Sequence, residues 1–324
     1  MTVLAEVVRS GLVESRHHGS VVAVDASGRV VLSGGTPDAP IFPRSSSKPM
    51  QACAAMLTGM VDTFGLTDRQ LAVIAASHSG EQMHLDLVRE VLTRAGVAES
   101  DLGCPHGWPL DASMRRTLAA RDVQPSRIFH DCSGKHAGML AACVAAGWPT
   151  QGYTAPDHPL QIQVRRVIEE FAGETVQAVG IDGCGAPVFA TSLTSIARSF
   201  ARLAAAEPGT PAYAVGSAMR AHPEVVGGTG RDVTELMRAV PGLLAKDGAE
   251  GVYAAVTRDG IGVAIKIDDG ASRARVPVLV AALRRIGALD DAGDLQALEH
   301  PAVLGGGERV GEVRAVDAAT NAST

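Results

Sequence analysis

The feature that most limits what this 324-residue chain can become is where its two hydrophobic periods fall. Both ends alternate with period two, as strands do, while the middle repeats every three to four residues, as helices do. Near the start, "LAEVVRSGLVESRHHGSVVAVDASGRVVLSGG" breaks into short Val/Leu runs, and Asp25-Ala-Ser-Gly28 reads as a hairpin loop between "SVVAV" and "RVVLSG". From Ser45 to about Met237, Ala/Leu/Val/Met segments separated by Gly, Pro and Asp predict helices over 48–60, 67–76, 81–95, 133–146, 158–172 and 190–206. Thr67-Asp-Arg-Gln70 has the form of a capping box, and Asp157 followed by "HP" predicts another helix start. After "KDGAEG", the segments "VYAAV", "TRDG" and "IGVAIKI" predict a second hairpin; Ser272 then opens a helix, and a short strand follows near "ERVGEVRAV". Strands from both termini can form one antiparallel sheet with the helical lobe inserted beside it, so the expected fold class is α+β, an α/β sandwich. One domain over 1–316 is expected, with its sheet from about 1–42 and 248–316 and its helical region at about 45–245. The polar tail at 317–324, "DAATNAST", is expected to be disordered. A cleft between sheet and helices is the natural place for a site.

Composition narrows the function. The net charge of −6 comes from interspersed acids and bases without basic runs, which excludes a nucleic-acid surface. Glu6, Arg9 and Glu14 interrupt what would have to be the apolar core of a signal peptide, and no later apolar run reaches membrane-spanning length. A cytoplasmic chain without nucleic-acid or membrane partners is expected. Five irregularly spaced cysteines give no disulfide framework, so reduced thiols are expected.

In "PRSSSKPMQA" three serines precede a Lys-Pro. Pro49 has no amide hydrogen and is tolerated only in a first helical turn, which puts the helix start at about Ser45 or Ser46. Positions three apart share a face, so Ser45 is set with Lys48 while Ser46 and Ser47 point elsewhere. A hydroxyl there, with the positive end of a helix dipole behind it and an amine beside it, has what a nucleophile needs. A bare S-x-x-K is more often a cap than a catalytic pair, so it needs companions. They occur in the order found in penicillin-recognising serine hydrolases: Ser77-His78-Ser79 in the helical region, then Lys266 in "GVAIKIDDG" on a closing strand, though as K-I-D rather than K-T-G. Taken singly, Ser77 reads as a polar helix end and Lys266 as a solvated strand lysine.

"FHDCSGKHAGML", residues 129–140, crowds Cys132, Lys135 and His136 into one turn at a helix start, and "GIDGCGAPVFA" holds Asp182 and Cys184 in a glycine-rich turn. Two thiols and a third donor would suit zinc, yet neither C-x-x-C nor His-x-x-x-His is present, and lysine ligates only after losing its proton. A nucleophilic Cys132 at a helix N-terminus is the alternative, whereas Cys53 and Cys143, with apolar helical neighbours, read as core.

Together "RSSSKPMQA", "ASHSGE", "DCSGKHAGML", "GIDGCGAP", "AHPEVVGGTGRDVTELM" and "KDGAEGVYAAV" resemble the L-asparaginase II family, the thermolabile rhizobial type, across essentially the whole chain. The resemblance implies hydrolysis of L-asparagine to L-aspartate and ammonia by a homodimer with a fold similar to serine β-lactamases and glutaminases. It also implies two Ser-Lys tandems, Ser45 with Lys48 and Ser77 with Lys266, and a zinc site on Cys132, Lys135 and Cys184. Asp182 and His136 match positions near the substrate, and Arg44 offers a bidentate contact to an α-carboxylate. "FHDC" departs from the family in carrying Asp131 where an amide is expected, an extra carboxylate that would alter metal affinity. Two open alternatives are an amidase or glutaminase on the same scaffold and a zinc-water hydrolase; a silent ligand-binding relative would not need both tandems.

Overall fold

The computed structural model describes residues 2–290, 292–316 and 320–321. Strands β1 (Thr2–Arg9), β2 (Leu12–Val24) and β3 (Val30–Gly34) begin one large sheet. Strands β4 (Pro40–Ile41), β5 (Ala178–Ile181) and β6 (Pro187–Ser192) form a separate small one in the order β4-β6-β5. Strands β7 (Leu244–Asp247), β8 (Val252–Val256), β9 (Gly262–Ile267), β10 (Ala302–Gly305), β11 (Glu308–Ala315) and β12 (Thr320–Asn321) complete the large sheet. Its order is β10-β11-β1-β2-β9-β8-β7, with β3 on β2 and β12 on β3, antiparallel throughout. The long β2 pairs with β1 and then β3 along one edge and, from Gly19 to Val24, with β9 along the other. The two ends of the chain therefore meet at the β2–β9 seam.

The helices are α1 (Lys48–Met56), α2 (Met60–Phe64), α3 (Asp68–Ile74), α4 (Gln82–Ala95), α5 (Ala112–Ala120), α6 (Ser133–Ala146), α7 (Pro159–Ala172), α8 (Leu193–Ala204), α9 (Pro211–Ala221), α10 (Pro223–Val226), α11 (Asp232–Ala239), α12 (Arg275–Arg285) and α13 (Gln296–Glu299). Both α8 and α12 pack on β9, whose consecutive residues Val263, Ala264 and Ile265 are all fully buried, so the middle of the sheet is covered on both faces. No helix of the described residues is long and apolar enough to cross a membrane. All five cysteines are free and buried, Cys53 and Cys143 among the apolar core.

Local differences from the sequence-based expectation have identifiable causes. The Thr67–Gln70 capping box forms, with the Gln70 amide oxygen accepting from the Thr67 N–H at 2.8 Å. At α7 the cap is His158 rather than Asp157, its Nδ1 accepting from the Leu160 N–H at 3.1 Å. The stretch expected as helix from 48 to 60 divides at Gly59, which stands at φ +78°. The expected helix from 190 starts at Leu193, because "PVFATS" is instead strand β6 with all six residues buried, a short apolar run whose period cannot tell strand from helix. The C-terminal part of the sheet begins at Leu244, four residues before the expected 248, which puts Lys246 and Asp247 on a strand. In the expected tail, Thr320–Asn321 pair with β3; residues 317–319 and 322–324 lie outside the described residues.

One close approach fixes the cleft. A Cβ on Gly134 would stand 2.2 Å from the Val73 carbonyl oxygen, and one on Gly138 would stand 2.5 Å from Ile74 Cγ2. Only glycine lets α6 lie this tightly on the end of α3, which brings Asp131 and Ser133 against His78, the residue after Ser77. Gly134→Ala should therefore cost about 1–3 kcal/mol through overpacking, read as a lower urea midpoint at constant slope. An unchanged midpoint would show that the two helices part freely.

Candidate active site

The three serines occupy a 3-10 turn, Arg44–Ser47, that runs directly into α1, with Pro49 in the first turn of that helix. Two of the hydroxyls are internally satisfied: Ser46 donates to the Pro43 carbonyl at 2.7 Å, and Ser47 to the Arg44 carbonyl at 2.9 Å while accepting from Gln51. The half-buried Ser45 hydroxyl has no hydrogen-bond partner among the described residues. Of the three serine hydroxyls, that of Ser45 is the one left available.

Lys48 does not turn back to Ser45. Its amine is buried, where each proton needs an acceptor, and it finds them at the end of α3 and the start of α6. It donates to the Ala76 carbonyl at 2.7 Å, to Ser77 Oγ at 2.9 Å and to the Asp131 carbonyl at 3.5 Å, with the Asp131 carboxylate at 3.9 Å. Ser77 is therefore the partner of Lys48, across elements rather than within one. Next to it, His78 Nε2 meets Ser133 Oγ at 2.9 Å while Ser133 donates to the Ile128 carbonyl, which ties the Ser77 segment to α6. Burial, with the nearby His84, holds His78 neutral by pushing its pKa well down.

Lys266, expected beside Ser77, is elsewhere: its amine donates to the Glu250 carbonyl at 2.5 Å and the Ile267 carbonyl at 2.7 Å. The strand order explains this correction. Lys266 lies on β9, beyond the two strands, β8 and the edge strand β7, that contact the serine turn. The lysine on that edge is Lys246, which sequence reasoning missed although Lys246-Asp247-Gly248 fits K-x-G better than the chosen K-I-D. Lys246 is fully buried and donates to the Asp247 carbonyl at 2.8 Å and to its carboxylate at 2.5 Å. Burial, opposed by Asp247 and reinforced by the charge of Lys48, brings its pKa down to about 8. Gly248 permits the contact between strand and turn, since a Cβ there would stand 2.9 Å from the Pro43 carbonyl oxygen.

The second cluster lies between the start of α6 and the β5–β6 turn. Cys132 caps α6, Lys135 sits in its first turn, and Cys184 comes from a turn closed by hydrogen bonds from the Asp182 N–H to Ala186 and from the Gly185 N–H back to Asp182. Lys135 Nζ stands 3.0 Å from Cys184 Sγ, with both residues buried. The hydrogen bond with Cys184, against burial, brings the Cys132 thiol down to about 7, while that same bond and burial raise Cys184. Burial would make Lys135 neutral, but the two sulfurs outweigh it and raise its pKa. Two convergent thiols and an amine are a donor set that fits zinc once the lysine proton is displaced. Asp131 links the two clusters: its carboxylate stands 3.0 Å from His130 Nδ1, 3.7 Å from Cys132 Sγ and 3.9 Å from Lys48 Nζ. His130, Asp131 and Cys132 also bring potential metal-ligand atoms within 4.8 Å of one another.

At the mouth, Arg44 Nε donates to Asp182 Oδ1 at 2.7 Å. Burial would raise Asp182, but Lys135 and Arg44 hold it below the usual carboxylate range. His136 is fully buried; its Nδ1 meets the Tyr153 hydroxyl at 2.6 Å, and its Nε2 has no hydrogen-bond partner although Cys184 acts on the ring. Arg44, Asp182, His136 and the cysteine-lysine cluster are thus one neighbourhood, adjoining the serine turn.

Residues 5–315 match the family model described as L-asparaginase II. Among solved structures, the chain is similar to a candidate beta-lactamase from Bacteroides dorei at 14% identity and TM-score 0.46, covering 83% of this chain and 92% of that one. It is also similar to the Bacillus subtilis glutaminase YbgJ in covalent complex with 5-oxo-L-norleucine, at 14% identity and TM-score 0.41, covering 83% and 87%. No curated protein matches the chain.

The site rests on a buried carboxylate. Asp247 meets Lys246, Arg231 at 2.9 Å and Arg275 at 3.9 Å. Burial alone would raise its pKa; the three cations reverse that and hold it far below the usual range. Asp247→Asn should cost about 3–5 kcal/mol in urea unfolding, because it strands buried cations. A depressed carboxyl stabilises the fold above the unfolded value of about 4 and loses that contribution as pH falls, so the acid-side decline in stability should flatten in the variant. Equal acid sensitivity in both proteins would rule Asp247 out as its source.

Proposed function

The chain belongs to the L-asparaginase II family, a family of amidohydrolases, and from that premise we propose that it hydrolyses L-asparagine to L-aspartate and ammonia through a Ser45 nucleophile. The observation that carries this reading is the 2.9 Å contact of Lys48 with Ser77, while the Ser45 hydroxyl, three residues before Lys48, has no partner among the described residues. Ser45 Oγ attacks the side-chain amide carbon, and its proton passes to the Lys48–Ser77 pair. The Ser45 N–H at the turn stabilises the oxyanion. As the carbon–nitrogen bond breaks, that proton is delivered to the departing nitrogen and ammonia leaves. Water then attacks the β-aspartyl ester, the bond to Ser45 Oγ breaks, and the serine regains a proton. Lys246, with its pKa near 8, adds an amine able to exchange a proton near neutral pH.

Arg44 offers its guanidinium to the α-carboxylate of the substrate and Asp182 its carboxylate to the α-ammonium, while His136 Nε2 points a buried polar atom at the site. Cys132, Lys135 and Cys184 would hold a zinc ion, which when bound supplies a fixed positive charge for orienting the substrate. Its bound-water chemistry is not needed where a serine is already paired with the Lys48 amine.

Ammonia release should be faster from asparagine than from glutamine; the reverse preference would make the chain a glutaminase. Ser45→Ala should lose at least about a thousandfold in kcat and form no acyl-enzyme visible by mass spectrometry. Full activity in that variant, with an acyl group trapped on Ser77, would reverse the two serine roles.

Metal analysis should find zinc, lost in Cys184→Ala. Chelation of the native protein should raise KM while leaving turnover at saturating substrate near normal. Complete loss of turnover in still-folded protein would favour metal-activated water.

A further inference from the structure

The turn joining β7 to β8 carries a carboxylate that the mechanism above does not use. Glu250 stands at φ +57° and Arg44 at φ +52°, left-handed conformations that non-glycine residues rarely hold and that persist only where the surroundings over-determine them. The two side chains face each other, with Arg44 Nη1 3.9 Å from Glu250 Oε1. On its other side the same guanidinium is bonded to Asp182. Arg44 thus stands between two carboxylates, and they differ. Asp182, 11% exposed, also accepts from the Gly183 N–H at 2.8 Å and faces the cysteine-lysine cluster. The Glu250 side chain is 68% exposed, and its ionic contact with Arg44 is a long one.

The backbone of the turn, by contrast, is firmly held. Lys266 donates to the Glu250 carbonyl from β9, and the loop after β9 lies against the turn, where a Cβ on Gly270 would stand 3.4 Å from Glu250 Cα. This gives Lys266 a use that its failure to meet Ser77 had left open.

An α-amino acid presents one positive and one negative group on the same carbon, so its receptor needs a cation and an anion that is not already neutralised. Arg44 is the cation. Asp182 supplies one carboxylate to the ammonium, but it is already bonded to Arg44 and the Gly183 N–H, which leaves room for a second anion there. We propose that Glu250 is a specificity-determining residue for the α-ammonium of the substrate and that Lys266 is its positioning residue. As the substrate carboxylate takes its place on Arg44, the loosely held Glu250 carboxylate passes to the ammonium, so one long ion pair is exchanged for two shorter ones. This rests on the amidohydrolase reading of the same site.

The test uses the full chain and two substrates, asparagine and succinamic acid, which is asparagine without its α-amino group. Glu250→Gln should lower the preference for asparagine, as a ratio of kcat/KM values, by about tenfold and mainly through KM, the loss of one charge-assisted contact. Lys266→Met should lower the same ratio by less, and Lys266→Arg should restore it. If the native protein hydrolyses asparagine and Glu250→Gln keeps the native preference while Asp182→Asn loses it, the ammonium belongs to Asp182 and the Glu250 assignment fails alone. If the native protein releases ammonia from neither asparagine nor glutamine, the amidohydrolase reading falls and takes this inference with it.

Discussion

The arrangement of the cleft depends on neutralising charge where water does not reach. Asp247 gathers Lys246 from its own strand, Arg231 from the residue preceding α11 and Arg275 from the start of α12. Arg275 in turn donates to the Gly248 carbonyl, meets Asp232 at 3.2 Å and lies 5.6 Å above the Tyr253 ring. A lone buried charge is costly, and the fully buried Lys246 has its charge met by this carboxylate, which Arg231 and Arg275 share. The sheet edge, the start of α11 and the start of α12 are thereby joined at the point where the edge faces the serine turn.

A second condition is close packing. The crossing of α3 and α6 through Gly134 and Gly138 carries the cysteine end of α6 to the serine end of α3. From that crossing follow both contacts of Lys48, with Ser77 on one element and Asp131 on the other. The active constellation is therefore assembled from helix termini, where backbone and side chains are free of the regular ladder.

Much of this was legible in the chain. Alternation at both ends and helical period between them gave the α+β architecture, because strands at the two termini have few ways to pair. Pro49 located the serine turn directly before α1, whereas the spacing from Ser45 to Lys48 did not reveal that the lysine bonds Ser77. What was not legible had two causes. Strand β6 is buried throughout and has no alternation to read, so the helical lobe seemed to lack a sheet. The partner of Lys48 is set by the α3–α6 crossing and the lysine on the edge near the serine turn by strand order, neither of which local pattern contains; the apolar neighbours of Lys266 make it the more conspicuous strand lysine. The K-x-G spacing was the available signal for Lys246.

The small sheet has a mechanical meaning. Strand β4 ends three residues before Arg44, and it pairs through Pro40 and Ile41 with Ser192 and Thr191 of β6. The hairpin partner of β6 is β5, which leads straight into Asp182 and Cys184. The turn bearing Ser45 and the turn bearing Cys184 therefore hang from one hydrogen-bonded ribbon, and the Arg44–Asp182 ion pair clasps them at its end. They form a single jaw, and the β7–β8 turn, pinned through its Glu250 carbonyl by Lys266, stands opposite it.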